Sequence, residues 1–177
     1  MDDRVLRFAE VLFRGDAAAV AATRDALADP AEFIARHAAD LGYVRPKPGW
    51  HPEPWPLLLG LAQLRGWVWD VDCREAADEV AAAVGGLTPA ALLAVDWAGL
   101  VAAHPEADTE TFLGVLARAV APAGEALVCL DRGSDSYPLA LLPVGSLAEA
   151  GRLAAAVGGR VDALDAEPGA AADGGGR

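Results

Sequence analysis

The chain has 177 residues, with 26 Asp and Glu against 14 Lys and Arg, so its formal net charge is minus 12. Nucleic-acid binders hold phosphates with clustered Lys and Arg, and this charge therefore excludes a nucleic-acid partner. Hydrophobic residues make up 54% of the chain, which lies well outside the composition of disordered proteins. We expect a folded protein with one domain, or one domain and an appendage.

Three features of the sequence predict where the protein resides. Cys73 and Cys129 form no CxxC pair, so neither a zinc knuckle nor a dithiol redox motif is indicated. The first residues are acidic and do not form a signal peptide, and no apolar run approaches the roughly 18 residues of a membrane helix. We expect a cytoplasmic protein with reduced thiols and no membrane partner. The scarcity of lysine and isoleucine indicates a GC-rich source genome.

Residues 1–42 are predicted to form a helical N-terminal extension. Apolar residues lie on one helical face over 3–14, and a glycine then ends the segment. Asp16 is the predicted cap of a second helix, and Asp29 followed by Pro30 marks the start of a third.

A Pro- and Trp-rich loop is predicted over 43–56, where five prolines exclude a helix interior and a central strand. Trp50 and Trp55 lie in this loop, and each indole would be costly to leave in water. We therefore expect the loop to lie against the body of the protein. The functional alternative is a partly exposed aromatic patch that anchors a protein interface, since indoles are enriched at interface hot spots.

Residues 57–164 are predicted to form an α+β domain. Strands are predicted over 67–72, 125–131, 137–144 and 160–164, and helices over 57–65, 73–84, the inserted segment 88–121 and 146–157. This order is that of a split βαβ, ferredoxin-like sheet with inserted helices. Residues 165–177 are predicted to be a disordered tail.

Several details follow from this arrangement of strands. The first and second strands run parallel, and the third is antiparallel to both. Asp72 and Asp108 are the predicted N-caps of the helices that follow them. Trp67 and Trp69 alternate along the first strand and therefore point to the same face, which is predicted to be core. Because Pro138 cannot donate into a ladder, pairing of the third strand is expected to start at Leu139.

Two segments resemble a known family. Residues 65–75, Arg-Gly-Trp-Val-Trp-Asp-Val-Asp-Cys-Arg-Glu, resemble its Arg-Gly-aromatic segment with a following Asp-aromatic-Lys-Glu, except that Cys73 stands where an aromatic is expected. Residues 130–143, Leu-Asp-Arg-Gly-Ser-Asp-Ser-Tyr-Pro-Leu-Ala-Leu-Leu-Pro, are similar to its more distinctive D-x-x-S-D-S-Y-P-L hallmark. The family is the uncharacterised bacterial domain of unknown function DUF6630. The resemblance covers roughly residues 55–164 and implies no reaction, because the family has no assigned activity.

An acidic turn is the main candidate site of the C-terminal half. The candidate binding residues are Asp131, Ser134, Asp135, Ser136 and Tyr137, together with Trp50 and Trp55 of the loop. Because the first two strands end at the same edge of the predicted sheet, Asp70 and Asp72 are expected at the same rim as this turn. The candidate metal ligands are Asp70, Asp131 and Asp135, whose carboxylates could hold Mg²⁺ or another divalent cation. A purely structural interpretation is also open, because tight turns favour Asp and Ser.

The sequence assigns no catalytic residue and no cofactor beyond that cation. Ser134 and Ser136 could act as nucleophiles only with a base in reach, and His37, His51 and His104 are all distant in sequence. We predict a non-enzymatic binding or regulatory module for an intracellular protein partner, whose acidic surface would attract a basic one. The alternative is a divalent-metal-dependent, hydrolase-like enzyme that uses the carboxylates of the rim.

Overall fold

The computed structural model describes residues 3–37, 40, 53–130 and 136–164. The predictions for Trp50, for Asp131, Ser134 and Asp135, and for the tail fall outside the described residues. The helices are α1 Asp3–Leu12, α2 Ala17–Ala28, α3 Pro30–His37, α4 Pro54–Leu64, α5 Ala77–Gly85, α6 Trp97–Ala103, α7 Thr109–Val120 and α8 Leu147–Ala156. The strands are β1 Trp69–Asp72, β2 Glu125–Cys129, β3 Ser136–Pro143 and β4 Asp162–Ala163. Short 3₁₀ turns lie at Thr88–Leu92, Ala121–Ala123 and Val144–Ser146.

The described strands form one sheet in the order β1-β3-β2-β4. Each neighbouring pair is antiparallel, so β1 and β2 point the same way with β3 between them, as the sequence predicts. The mixture of helices and an antiparallel sheet confirms the α+β class. The ferredoxin-like arrangement is not confirmed, and β4 pairs with β2 at one edge of the sheet.

Pro138 lies inside β3 and not before it. On the β2 side the ladder begins at Leu139, as expected, but on the β1 side it continues to Ser136. The N–H of Leu130 donates to the carbonyl of Pro138 at 2.7 Å, so the backbone of Pro138 faces the end of β2 and not β1. The nitrogen of Pro138 faces the same side as its carbonyl, away from β1. The absence of an N–H there therefore removes no hydrogen bond from the β1–β3 ladder. The expectation for the β1 pairing was therefore wrong.

Helices cover both faces of the sheet. On one face α1, α4 and α8 share a core with the strands, which includes Phe8, Leu58, Leu153, Ala140 and Leu142. On the other face α5 and α7 form a second core, which includes Val80, Phe112, Leu116, Leu139 and Leu141. Because both faces of β3 are buried, its sequence is a continuous apolar run without polar alternation. Since α1 packs directly against β3 and α8, it is a layer of the body and not an appendage.

Three aspartates predicted to cap helices do so. Asp16 Oδ1 accepts hydrogen bonds from the backbone N–H groups of Ala18 and Ala19. Asp29 Oδ1 accepts one from Glu32 at 3.0 Å, and Asp108 Oδ1 accepts one from Thr111 at 2.7 Å. These bonds satisfy N–H groups that have no partner within the helix itself.

Other helix starts differ from the prediction. Asp72 accepts from the N–H of Arg74 and donates its own N–H to Glu75 Oε1. These bonds close a turn after β1, and α5 begins only at Ala77. The loop predicted over 43–56 is too long at its C-terminal end, since α4 already begins at Pro54. Proline is compatible with a first helical turn because its missing N–H would have no partner there.

Candidate functional site

The rim of the sheet holds the described part of the predicted acidic site. Asp72 lies opposite Ser136 in the register of β1 and β3, and the Ser136 hydroxyl donates to Asp70 Oδ1 at 3.3 Å. The structure therefore brings Asp70, Asp72, Ser136 and Tyr137 to one edge. Among residues 3–37, 40, 53–130 and 136–164, no group of three or more His, Cys, Asp or Glu side chains is placed to hold a metal ion. A site that includes Asp131 and Asp135 stays a prediction.

Tyr137 is half-buried on the α7 side of this rim, opposite Val71. Burial raises the pKa of Tyr137, and the nearby negative charge of Glu110 raises it further. A phenol whose pKa exceeds its ordinary value of 10.0 is protonated at neutral pH. Tyr137 can therefore donate a hydrogen bond to a ligand at the rim, but it does not provide a base at neutral pH.

Trp55 lies in the core and is only 3% exposed. Its ring contacts Phe8 edge to face, with ring centroids 4.9 Å apart, and it packs closely over Gly159. The expectation that this part of the loop lies against the body is confirmed for Trp55. Its proposed part in an exposed aromatic patch is wrong, because a buried indole cannot anchor a partner.

Trp67 and Trp69 do not share a face. Trp67 is 8% exposed and its ring contacts Phe13, whereas Trp69 is 49% exposed. The alternation fails because β1 begins only at Trp69, after a turn at Gly66, whose φ of +71° is in the left-handed region. Trp69 is therefore an exposed aromatic on an edge strand, and the prediction of a shared core face was wrong.

A second surface, which the sequence analysis did not identify, is formed by α6. Its sequence is Trp-Ala-Gly-Leu-Val-Ala-Ala, with no charged side chain, yet none of its residues is fully buried against the described chain. A helix that is apolar on all sides is normally buried in a core or an interface. Trp97, Leu100 and Val101 are partly buried against the α5–α7 core, and Ala98, Ala102 and Ala103 are exposed, so α6 presents small apolar side chains to solvent.

A groove of about 530 Å³ runs between α5 and α6. Ala81, Ala82 and Gly85 of α5 lie along it, with Trp97 and Val101 of α6 on the opposite side. Gly85 fits closely, because a Cβ there would lie 3.3 Å from Cδ1 and Nε1 of Trp97. Ala98 and Ala102 of α6 also line the cleft, so its apolar surface is formed mostly by small side chains.

The stretch of sequence that forms this cleft is strongly acidic. Over residues 70–117 the sequence has one base, Arg74, and nine acids: Asp70, Asp72, Glu75, Asp78, Glu79, Asp96, Glu106, Asp108 and Glu110. Asp78 lines the cleft itself. The hydrogen bond from the N–H of Thr111 lowers the pKa of Asp108 below its ordinary value of 3.8, so this carboxylate keeps its charge into the acid range. We call the surface formed by α5, α6 and the start of α7 the acidic face.

A family model for DUF6630, a domain of unknown function, matches residues 4–164. The chain belongs to the DUF6630 family. The DUF6630 match begins within α1 and ends after β4, so it covers far more than the residues 55–164 that the sequence motifs suggested. This extent agrees with the packing of α1 on the sheet. No curated protein and no solved structure matches the chain, and none of the described helices is long and apolar enough to cross a bilayer.

The sequence does contain a signal for the acidic face of this DUF6630 domain. Residues 1–48 carry seven bases and eight acids, whereas residues 70–110 carry one base and nine acids. Within that stretch, residues 97–103 form an apolar run without the polar alternation of a surface helix. The run alone predicts burial, and only the structure shows that α6 is left at the surface.

Proposed function

We propose that this DUF6630 domain is a non-enzymatic binding module that recognises a basic intracellular protein through its acidic face. The observation that carries the proposal is α6, an apolar helix with no fully buried residue, which lies in a stretch of sequence, residues 70–117, with nine acids and one base. Exposed apolar surface with a polar rim is typical of interaction sites. The surrounding carboxylates would steer a positively charged partner to that surface.

The divalent-metal alternative depends on other residues. It requires Asp131 and Asp135, which are outside the described residues, in addition to Asp70. Asp70 already accepts a hydrogen bond from the Ser136 hydroxyl, which joins β1 to β3 and needs no metal. No specific observation favours the metal enzyme, and it remains the second hypothesis.

Capture of partners from a lysate of the source cells tests the proposed function. The wild-type chain is compared with Asp78→Asn/Glu106→Gln/Glu110→Gln, which removes three exposed charges from the acidic face. The matched control, Asp3→Asn/Glu10→Gln/Asp25→Asn, removes three exposed charges from α1 and α2. We expect basic proteins to be enriched by the wild type and the control but lost from the first variant. Equal recovery by all three chains would overturn the proposal.

A further inference from the structure

We propose that the cleft between α5 and α6 binds one amphipathic helix of the partner, with an apolar stripe that faces α6 and Lys or Arg at its flanks. This inference rests on the proposed function and specifies how the partner is recognised. An amphipathic helix in a hydrophobic groove is a recurrent mode of peptide recognition. The cleft lies between two helices, contains Ala81, Gly85 and Trp97, and is open to solvent along its length.

The shape of the cleft fits a helix. Ala82 of α5 and Ala98 and Ala102 of α6 are exposed at the cleft, and their small side chains would allow another helix to come close. Trp97 and Val101 would contact its apolar side chains from the α6 side. Because α5 has nine residues, and a helix rises about 1.5 Å per residue, the cleft matches a segment of two to three turns, with anchors at positions i, i+3 or i+4 and i+7.

The backbone chemistry of the cleft argues against an extended peptide. A strand binds by adding to a sheet edge, whose free N–H and C=O groups pair with it. In the interiors of α5 and α6 these groups are engaged within the helices themselves. An extended peptide in the cleft would therefore leave its own backbone without partners at an apolar surface, whereas a helix satisfies its backbone internally.

Charge decides between a basic partner and the other occupants of an apolar cleft. A second copy of the chain would bring two acidic faces together, each with Asp78 in the cleft and Glu106 after α6. Like charges in close contact oppose such pairing. An anionic membrane surface would be repelled in the same way. A helix with Lys or Arg beside its apolar stripe would cover the apolar surface and pair with the carboxylates at the same time.

A synthetic probe tests this inference directly. The probe is a fluorescently labelled peptide of about 14 residues, built from Leu and Lys in a helical repeat, which is long enough to form a helix on binding. Binding to the full chain is measured by fluorescence anisotropy. Ala82→Arg places bulk and positive charge in the cleft at an exposed position. Ala155→Arg on α8 makes the same change at an exposed position on the opposite side of the sheet.

We expect Ala82→Arg to weaken the Kd by at least about tenfold, and Ala155→Arg to leave it within about twofold of the wild type. A peptide of the same composition with Leu and Lys alternating in a strand pattern should bind at least about tenfold more weakly. Thermal melting establishes that each variant is folded. If the two Arg variants bind the helical peptide equally, or if the wild type does not bind it, the proposal that the cleft is the binding site is overturned. If binding is lost in Asp78→Asn/Glu106→Gln/Glu110→Gln but kept in Ala82→Arg, the result would support the proposed function of the acidic face and contradict only the proposal that the cleft is the binding site.

Discussion

Arg14 and Glu125 form a bidentate ion pair between the end of α1 and the first residue of β2. Nη1 of Arg14 donates to Oε1 of Glu125 at 2.8 Å, and Nη2 donates to Oε2 at 2.6 Å. Glu125 is a buried residue, and the Arg14 backbone adopts a φ of +52°, in the left-handed region. The helix therefore ends in a conformation that directs its last cation at the sheet, which connects the N-terminal layer to β2.

Removal of this cation should destabilise the fold. Arg14→Gln leaves the Glu125 carboxylate largely buried without its partner, and we expect a loss of about 1–3 kcal/mol in the free energy of unfolding, reduced from the fully buried case because Arg14 is partly exposed. Urea denaturation measures the loss, with the exposed Arg7→Gln of α1 as the control. In the double variant Arg14→Gln/Glu125→Gln the loss should be smaller than the sum of the single losses. Additive losses would show that the pair contributes nothing specific.

The cap of α7 predicts a pH dependence of stability. The hydrogen bond from the N–H of Thr111 lowers the pKa of Asp108 in the folded state. The contribution of the charged carboxylate to stability is therefore present above the unfolded pKa and is lost as the pH falls through the lower folded value. Asp108→Asn keeps a capping side chain but has no charge to titrate. The wild type should exceed Asp108→Asn in urea midpoint near neutral pH, and the difference should shrink in acid. A difference that does not change with pH would contradict this role for the charge.

Gly159 is predicted to be required by the ring of Trp55. A Cβ at Gly159 would overlap the indole, so Gly159→Ala should cost about 1–3 kcal/mol through overpacking. Gly151 lies in α8 with open space around its Cβ position, and Gly151→Ala should instead stabilise the helix by about 0.5–1 kcal/mol. The thermal midpoints of the two variants should move in opposite directions. If Gly159→Ala melts at the wild-type temperature, the ring does not lie where the structure places it.

Divalent cations distinguish the two hypotheses for function. A binding module without a metal site should show no rise in melting temperature when Mg²⁺ or Mn²⁺ is added at about 5 mM, well above the dissociation constants of typical weak sites. Asp135→Asn should then behave as the wild type with and without the cation. A rise that disappears in Asp135→Asn would instead favour the metal-dependent enzyme.

Local signals in the sequence predict much of the fold. Asp16, Asp29 and Asp108 mark helix starts because an aspartate before a helix has one dominant use, which is to accept from the free N–H groups. The apolar run after Tyr137 predicts a buried strand for a similar reason. The prediction fails where the same residue type can close a turn: Asp72 accepts a hydrogen bond from a backbone N–H as a cap would, but in a turn that precedes α5.

The candidate site depends on long-range packing, which the sequence does not display. Residues 97–103 predict an apolar helix, but whether such a helix is covered depends on every element around it. Trp55 and Trp69 show the same limit in opposite directions. Trp55, expected in a loop, is buried against Phe8 and Gly159, whereas Trp69, expected in the core, is half exposed at the start of β1.

Site-specific photo-crosslinking in the source cells is the most direct measurement of partner binding at the acidic face. A photoreactive phenylalanine analogue replaces Ala98, an exposed residue of α6, or Ala155, an exposed residue of α8. We expect position 98 to form an adduct with a basic protein, with the attachment point in a Lys- or Arg-rich helical segment, and position 155 to form none with that protein. The absence of an adduct at position 98, or the same adduct from both positions, would refute recognition through the acidic face.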